Sequence, residues 1–318
     1  MTQTKPSVTV VVPVYNSEES LAELCSQLAE ALPQVAVAFE VILVNDGSRD
    51  GSWRVIQSLA RTHGWLRGVA FTRNYGQHNA LLCGIREAQY DVIVTMDDDL
   101  QHPPAEIRHL LAKMDEGYDV VYGSPQRREH DTWRNIGSYG VRWALKVAMG
   151  IRSARDVSAF RAFRAGLRPV FMDYHSPQIS IDVLLSWATT RFASVTVQHE
   201  PRQYGHSNYN FVRLMLTAFN MLTGYSTLPL QFASLAGFAV MLFGIGVFVY
   251  VVVRYLMLGY SVAGFPFLAS IIAIFSGVQL FALGIIGEYL ARMYFRTMDR
   301  PTYVIREQTE LAARARRD

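Results

Sequence analysis

Val94-Thr95-Met96-Asp97-Asp98-Asp99-Leu100-Gln101-His102-Pro103-Pro104 runs from an apolar segment straight into three adjacent carboxylates, a glutamine and two prolines. Side-by-side like charges repel, so something must offset that cost. Two readings of the run stand: a solvated acidic turn that caps the helix beginning at the prolines, or a seat for a cation. The deciding feature is position. The run follows an apolar stretch, Asp91–Thr95, that reads as a strand.

Working outward, the first part of the chain alternates short β-branched runs with helical patterns. Val8–Val12, Phe39–Val44, Gly68–Phe71, Asp91–Thr95 and Tyr118–Tyr122 read as strands. Between them fall helical patterns: one with Ser17 as N-cap and Leu21, Leu24 and Leu28 on one face, one marked by Val55, Ile56 and Leu59, and others at Gln77–Ala88 and Pro104–Glu116. Continuous apolar strands alternating with helices predict an α/β fold with a Rossmann-like, mostly parallel sheet covered on both faces. Ligands of such sheets bind beyond the carboxyl ends of the strands. That rule selects Pro13-Val14-Tyr15-Asn16, Asn45-Asp46-Gly47-Ser48, Arg73-Asn74-Tyr75-Gly76 and the three aspartates. Neither a G-x-G-x-x-G turn nor a G-x-x-x-x-G-K-[ST] loop occurs, which argues against dehydrogenase-type and P-loop chemistry.

Hard divalent cations such as Mg²⁺ or Mn²⁺ take carboxylates and keep open positions for phosphate oxygens. If the segment stays extended, Asp97 and Asp99 point the same way and Asp98 the other, while Gln101 can add a neutral carbonyl oxygen. Asp46 either starts a turn, as Asp-Gly commonly does, or accepts an N–H from a base against which Tyr15 stacks. Glu18 or Glu19 would contact a ribose, or serve as first-turn helix carboxylates.

The rest of the chain reads differently. No Asp, Glu, Lys or Arg occurs between Arg213 and Arg254, or between Arg254 and Glu288. Phe232–Val253 and Phe265–Gly287 each exceed the roughly 20 apolar residues a bilayer span needs. The division expected is a catalytic α/β domain over residues 1–205, interfacial helices over 206–228, a membrane hairpin over 229–291 (helices at about 232–256 and 265–289) and a basic tail over 292–318. Tyr209–Leu222 reads as a helix lying on the inner interface. Arginines flank the hairpin on its inner side, placing both ends in the cytoplasm and the protein in the cytoplasmic membrane. Two cysteines, Cys25 and Cys83, suggest no disulfide framework and fit a reducing compartment. A net charge of +3 is too small to argue for nucleic acid. Gly237, Gly244 and Gly246 would allow close packing of helices, so a homo-oligomer stays open.

Taken in order, PVYN, VNDGS, RNYGQHNAL, TMDDDLQHPPAEI, EGYDVVYG and GEYLARMY resemble the family-2 inverting glycosyltransferases of the GT-A fold. Among them they are most similar to the polyisoprenyl-phosphate glycosyltransferases, including dolichol-phosphate mannose synthases and undecaprenyl-phosphate aminoarabinose-type or glucosyl transferases. The resemblance covers nearly the whole chain. It implies transfer of one sugar from a nucleotide sugar to a polyisoprenyl phosphate at the bilayer, with Mg²⁺ or Mn²⁺ as cofactor; between UDP- and GDP-linked donors, which stay open, UDP is favoured. By the resemblance Asp97, Asp99 and Gln101 hold the metal and Pro13, Tyr15 and Asp46 line the nucleotide, with Asn16, Glu18, Arg73, Asp97 and Asp98 as further donor-side candidates. The Q-x-x-R-W of processive synthases is absent, which favours single transfer.

Three departures from the family pattern stand out. Asp98 occupies the middle of the acidic motif, where Ala is common. Some members place an Asp, treated as the base, directly before a Phe-Arg pair; here that residue is Ala159, and Asp156 is the nearest carboxylate and the candidate catalytic residue beside Asp99. In EPRQYGHSNYNF, Asn208 stands where a Lys is usual, leaving the acceptor phosphate to Arg202, His206 and Arg213, unless those arginines simply snorkel at the interface. Arg127, Arg128 and Arg134 either guide the same phosphate or form a solvated loop. Two alternative functions are transfer to a different membrane lipid and non-catalytic binding of a nucleotide sugar.

Overall fold

A computed structural model of the chain describes residues 5–125, 157–175, 179–200, 223–258, 265–298 and 300–309. The expected interfacial helix at Tyr209–Leu222 and the site candidates Arg127, Arg128, Arg134, Asp156, Arg202, His206 and Arg213 lie outside those residues.

The five strands expected from the β-branched runs form as β1 (Ser7–Val14), β2 (Ala38–Asn45), β3 (Leu66–Phe71), β4 (Val92–Thr95) and β5 (Val120–Pro125). Three more complete one eight-stranded sheet: β6 (Arg161–Arg164), β7 (Phe192–Val197) and β8 (Ile305–Gln308). The order is β7-β5-β6-β4-β1-β2-β3-β8, with β6 and β8 antiparallel to their neighbours. The chain winds outward from β1 through β2 to β3, then returns to place β4 on the other side of β1. That reversal opens a crevice at the carboxyl ends of β1 and β4, the switch point at which open α/β sheets take ligands.

Helices cover both faces. On one lie α1 (Leu21–Val35), α2 (Ser52–Thr62) and α4 (Ile107–Met114), packing Leu24, Leu28, Ile56 and Leu110 against Val8, Val10 and Val12 of β1. On the other lie α3 (Gln77–Glu87), the short α5 (Pro169–Met172) and α6 (Ile181–Ala188), which bury Leu82, Phe171 and Leu184 with Val11 and Ile93. Period two in β1 thus feeds both cores, even residues to one face and Val11 to the other. Gly84 brings α3 close to the sheet, since a Cβ there would collide with the Val11 side chain.

Pro13 stands inside β1, opposite Val44, although proline is rare in central strands. Val14 accepts from the Asp46 N–H on the β2 side, and Val11 accepts from the Met96 N–H on the β4 side. Pro13 shares the side of Val11, and β4 has ended its pairing at Val11↔Thr95. The missing N–H therefore falls where no partner strand remains. Pro13 is buried at the end of the strand, directly beneath the rim.

Two long apolar helices follow, α7 (Leu228–Leu258) and α8 (Phe265–Thr297). Leu228–Met257 and Ile274–Thr297 are each long and apolar enough to cross a membrane. Part of the basic tail expected over 292–318 is built into the sheet. Ile305–Gln308 pairs with β3 through Val69↔Gln308 and Ala70↔Glu307, and Tyr303 stacks on Phe71 with ring centres 5.0 Å apart. The chain that leaves the sheet domain into α7 thus returns from α8 to the same sheet.

Candidate active site

Four loops meet at the carboxyl edge of the sheet, and side chains stitch them into a ring. The β1 loop is bound to the β2 loop: Asn16 N–H donates to Ser48 Oγ at 3.0 Å, and Arg49 N–H donates to Asn16 Oδ1 at 2.8 Å. Asn16 holds φ 54 to do so, a backbone that asparagine tolerates better than most residues. Next, Asp46 of the β2 loop takes the N–H groups of Tyr75 and Gly76 in the β3 loop, at 2.6 and 2.8 Å. Gln77 Nε2 then donates to Asp97 Oδ1 at 2.6 Å, joining the β3 loop to the acidic loop after β4. Asp98 closes the ring by turning into the β1 loop, toward the Ser17 hydroxyl and the Tyr15 N–H.

Both sequence readings of Asp46 bear on this geometry. The residue is 2 % exposed and each oxygen holds one backbone amide, so its first task is to build the turn that carries Tyr75. Burial pushes its carboxyl up, against the pull of those two hydrogen bonds. Gly47 is required beside it: its φ is +66, and a Cβ would lie 2.5 Å from Asn74 N. Glu18 is committed to structure too, accepting from the Gly51 N–H at 2.8 Å and facing Arg54 at 3.5 Å, so it ties the β1 loop to α2. Tyr15, in contrast, stands 45 % exposed on the rim, and Arg73 lies over the Tyr75 ring at 4.6 Å.

The extended backbone assumed for the three aspartates ends early. β4 stops at Thr95, and Leu100 adopts φ 59, so the run bends through a turn in which Asp99 Oδ1 accepts the Gln101 N–H at 3.2 Å. A left-handed leucine costs on the order of 1 kcal/mol, and such strain is held where surrounding structure over-determines it. Here Leu100 is buried and the Gln101 carbonyl accepts from the Glu200 N–H at 2.9 Å. Strict alternation is therefore not what separates Asp98 from its neighbours; its burial against the β1 loop is. Asp98 Oδ2 is buried without a hydrogen-bond partner among the described residues, and burial raises its carboxyl to about 6, helped by the charge of Asp99.

Several contributors escaped the sequence reading. Gln77 grips Asp97. His102 stacks on Phe160 (5.2 Å between ring centres) beside His199, and burial holds it down to about 4, so it is neutral at physiological pH. Beneath the acidic loop runs a buried polar cluster: Arg161 pairs with Asp182, Tyr122 donates to Asp182 at 3.0 Å, and Arg161 Nε donates to Thr95 Oγ1 at 3.0 Å. Thr95 in turn donates to the Ala159 carbonyl at 2.7 Å, holding the segment after Asp156 against the end of β4.

The arrangement suits a divalent cation bound together with a diphosphate. Among the described residues no three His, Cys, Asp or Glu side chains gather into a ready-made metal cage. Mg²⁺-type ions that work on phosphates need none, because one or two carboxylates plus substrate oxygens complete their shell. Asp97 and Asp99 are the two carboxylates that flank Asp98 in the loop after β4, at the switch point.

Comparison with known proteins agrees with the geometry. Residues 9–174 match the model of "Glycosyl transferase family 2". The chain belongs to glycosyl transferase family 2. This glycosyltransferase is 34 % identical over 303 residues to the undecaprenyl-phosphate 4-deoxy-4-formamido-L-arabinose transferase of Shewanella sediminis, covering 94 % of this chain and 92 % of the relative. The protein of that name from Proteus mirabilis is 35 % identical over 305 residues, covering 94 % and 93 %. Among solved structures, the glucosyl-3-phosphoglycerate synthase of Mycobacterium tuberculosis, in complex with Mn²⁺, UDP-glucose and phosphoglyceric acid, superposes with a TM-score of 0.51 at 17 % identity. That match covers 69 % of this glycosyltransferase and 78 % of the synthase, and establishes the shared GT-A fold.

Proposed function

We propose that this glycosyltransferase moves a single sugar, with inversion, from a nucleotide sugar to a polyisoprenyl phosphate of the undecaprenyl type at the cytoplasmic face of the membrane. The observation that carries the reading is the ring of four loops. It presents Asp97 and Asp99 at the switch point with Tyr15 exposed beside them, on a sheet joined through β8 to the membrane hairpin. The names of the relatives supply the acceptor class.

Asp97, Asp99 and Gln101 would hold Mg²⁺ or Mn²⁺, which supplies Lewis-acid stabilisation of a departing diphosphate. The protein's own groups do the rest. Tyr15 offers a face for the base of a UDP donor, and Arg73 and Tyr75 flank it across the turn that Asp46 builds. Gln77 fixes the orientation of Asp97. The acceptor phosphate has a second pKa of about 6, so at neutral pH it is mostly a dianion and already nucleophilic. Asp156 accordingly serves to orient sugar or acceptor more than to remove a proton. Arg127, Arg128, Arg134, Arg202, His206 and Arg213 are the cations available to the acceptor phosphate.

Tyr225 before the hairpin lies beside Trp187 of α6, and β8 after it pairs with β3, so two spans would return the chain to the side it left; the arginines before and after the hairpin favour the cytoplasm for that side. Holding the sheet domain at the bilayer raises the effective concentration of a site that must find a lipid-borne phosphate.

The test uses purified full-length protein with undecaprenyl phosphate, Mg²⁺ or Mn²⁺, and a panel of labelled UDP- and GDP-sugars that includes UDP-linked 4-deoxy-4-formamido-L-arabinose. Chelator-sensitive label in the organic phase from one donor, carried as a lipid monophosphate sugar, supports the proposal and names the sugar. Label in a lipid without phosphate would replace the acceptor, and donor binding without turnover under every condition would overturn the enzymatic reading of the site.

A further inference from the structure

We infer that the α3–α5–α6 layer is the face of the sheet domain that lies on the bilayer, with Trp187 as its headgroup-level anchor. The inference rests on the reading of α7 and α8 as membrane spans.

The two helical layers are chemically unlike. Among the described residues before 201, the exposed large apolar side chains are Tyr15 on the site rim, Val37 in a loop, Met172 at the end of α5 and Trp187 on α6. None lies on α1, α2 or α4. Trp187 is 55 % exposed and Met172 47 %, a large apolar area to leave in water beside one another's elements.

What covers that area is indicated by where the hairpin joins. The Tyr225 ring lies 6.2 Å from Trp187, and its hydroxyl receives a hydrogen bond from Tyr174 at 3.5 Å; Tyr174 in turn lies 6.3 Å from Trp187. One residue on, the Ser226 carbonyl accepts from the Tyr289 hydroxyl of α8 at 2.6 Å. Leu228 then opens α7. These aromatic groups therefore share the level of the start of α7 and of Tyr289, about two turns before α8 ends. The candidate span Leu228–Met257 has 30 residues. At about 1.5 Å per residue such a helix is about 45 Å long, close to the full thickness of a bilayer with its headgroups. Its first turn thus sits among headgroups, where Trp and Tyr are enriched because one end of each ring is apolar and the other polar. The second flank reaches the same layer: Arg86 of α3 approaches the Tyr303 hydroxyl at 3.5 Å and donates to the carbonyls of Phe171 and Tyr174. Both attachments of the hairpin fall on one face of the sheet, and on that face stands the exposed tryptophan.

The test places an environment-sensitive NBD label at position 187 of the full-length protein in phosphatidylcholine–phosphatidylglycerol vesicles. Cys25 and Cys83 are buried and burial pushes both thiols up to about 12, so an introduced exposed cysteine is labelled selectively. Trp187→Cys and Met172→Cys report the proposed face, Phe243→Cys the middle of α7, and Arg61→Cys the opposite layer. With nitroxides carried on headgroups or deep on acyl chains, the label at 187 and 172 is expected to lose emission to the headgroup nitroxide, and the label at 243 to the deep one. The label at 61 should lose none. Emission at 187 and 172 that matches position 61, with 243 still quenched, overturns the proposal while leaving the spans intact. That includes a blue-shifted but unquenched label, the sign of protein covering the patch. An unquenched label at 243 would instead remove the membrane reading on which the inference rests.

Discussion

Arg161 Nε donates to Thr95 Oγ1 at 3.0 Å, and Thr95 stands two residues ahead of Asp97. A fully buried guanidinium thereby fixes the last residue of β4 and, through the Thr95 hydroxyl, the Ala159 carbonyl beside it. Arg161 can be buried because Asp182 pairs with it, and Tyr122 donates to the same carboxylate. Asp182→Ala would strand the charge and is expected to cost about 3–5 kcal/mol, seen as a large drop in the unfolding midpoint in detergent. Arg161→Met combined with Asp182→Leu should recover much of that stability while still misplacing the acidic loop. A double variant as unstable as Asp182→Ala would show that the pair is not the source of the loss.

Gln77 offers a finer test of the acidic loop. Its amide holds Asp97 at 2.6 Å without being a proposed ligand itself. Supporting residues of this kind typically contribute about 10- to 100-fold to metal affinity or activity. Gln77→Ala should therefore lower turnover by that amount and raise the Mn²⁺ concentration needed for half activity, whereas Asp99→Ala should leave almost none at any concentration. Unchanged metal dependence in Gln77→Ala would break the proposed link, and retained activity in Asp99→Ala would remove Asp99 from the metal.

How much of this could be read beforehand follows from which partners are near in sequence. β1 to β5 are runs of β-branched residues with local turn signals, and all five were legible. β6, β7 and β8 were not: Arg161–Arg164 and Ile305–Gln308 have four residues each, and β7 alternates at an edge. What makes them strands is a neighbour far along the chain. Ser17 shows the same limit from the other direction. It looks like an N-cap, yet its N–H donates to Ser52 Oγ at 2.9 Å and its hydroxyl to the Tyr15 carbonyl, so α1 waits until Leu21. At the site, the aspartates announced themselves by composition and position. Gln77, His102 and Arg161 did not, because their meaning lies in contacts the sequence does not display.

Gly47 tests the turn that Asp46 builds. Alanine there must adopt φ +66 and press into the backbone of Arg73 and Asn74. Strain of this kind costs about 1–3 kcal/mol, and relief would push the Tyr75 turn away from Asp46. Gly47→Ala is expected to lower the unfolding midpoint and to weaken binding of the nucleotide diphosphate, measured by calorimetry, more than binding of Mn²⁺. An affinity equal to the parent's would mean that the turn does not position the donor.

Asp156 can be separated into base or orienting group by substitution. If the acceptor dianion needs no deprotonation, Asp156→Asn should cost only a few-fold in kcat at pH 8 and more at pH 5.5, where the phosphate becomes monoanionic. A loss near 1,000-fold that is constant across this range would restore the general base.

The last prediction concerns Asp98, whose carboxyl is raised to about 6 by burial, with Asp99 adding to the effect. In the unfolded chain an aspartate titrates near 3.9, so between about pH 4 and pH 6 the folded protein binds more protons than the unfolded one. Stability from this group is then fully present below pH 4 and is lost as pH rises through 6. Asp98→Asn removes the titration while keeping size and hydrogen-bonding capacity. With chelator present, the variant should be more stable than the parent at pH 7.5, by up to about 3 kcal/mol, and the two should converge near pH 4. Melting curves across that range decide it. A constant difference at all pH values would mean that Asp98 acts through packing alone. Adding Mn²⁺ should then narrow the gap at pH 7.5, because a cation on Asp99 cancels the repulsion that contributes to the shift.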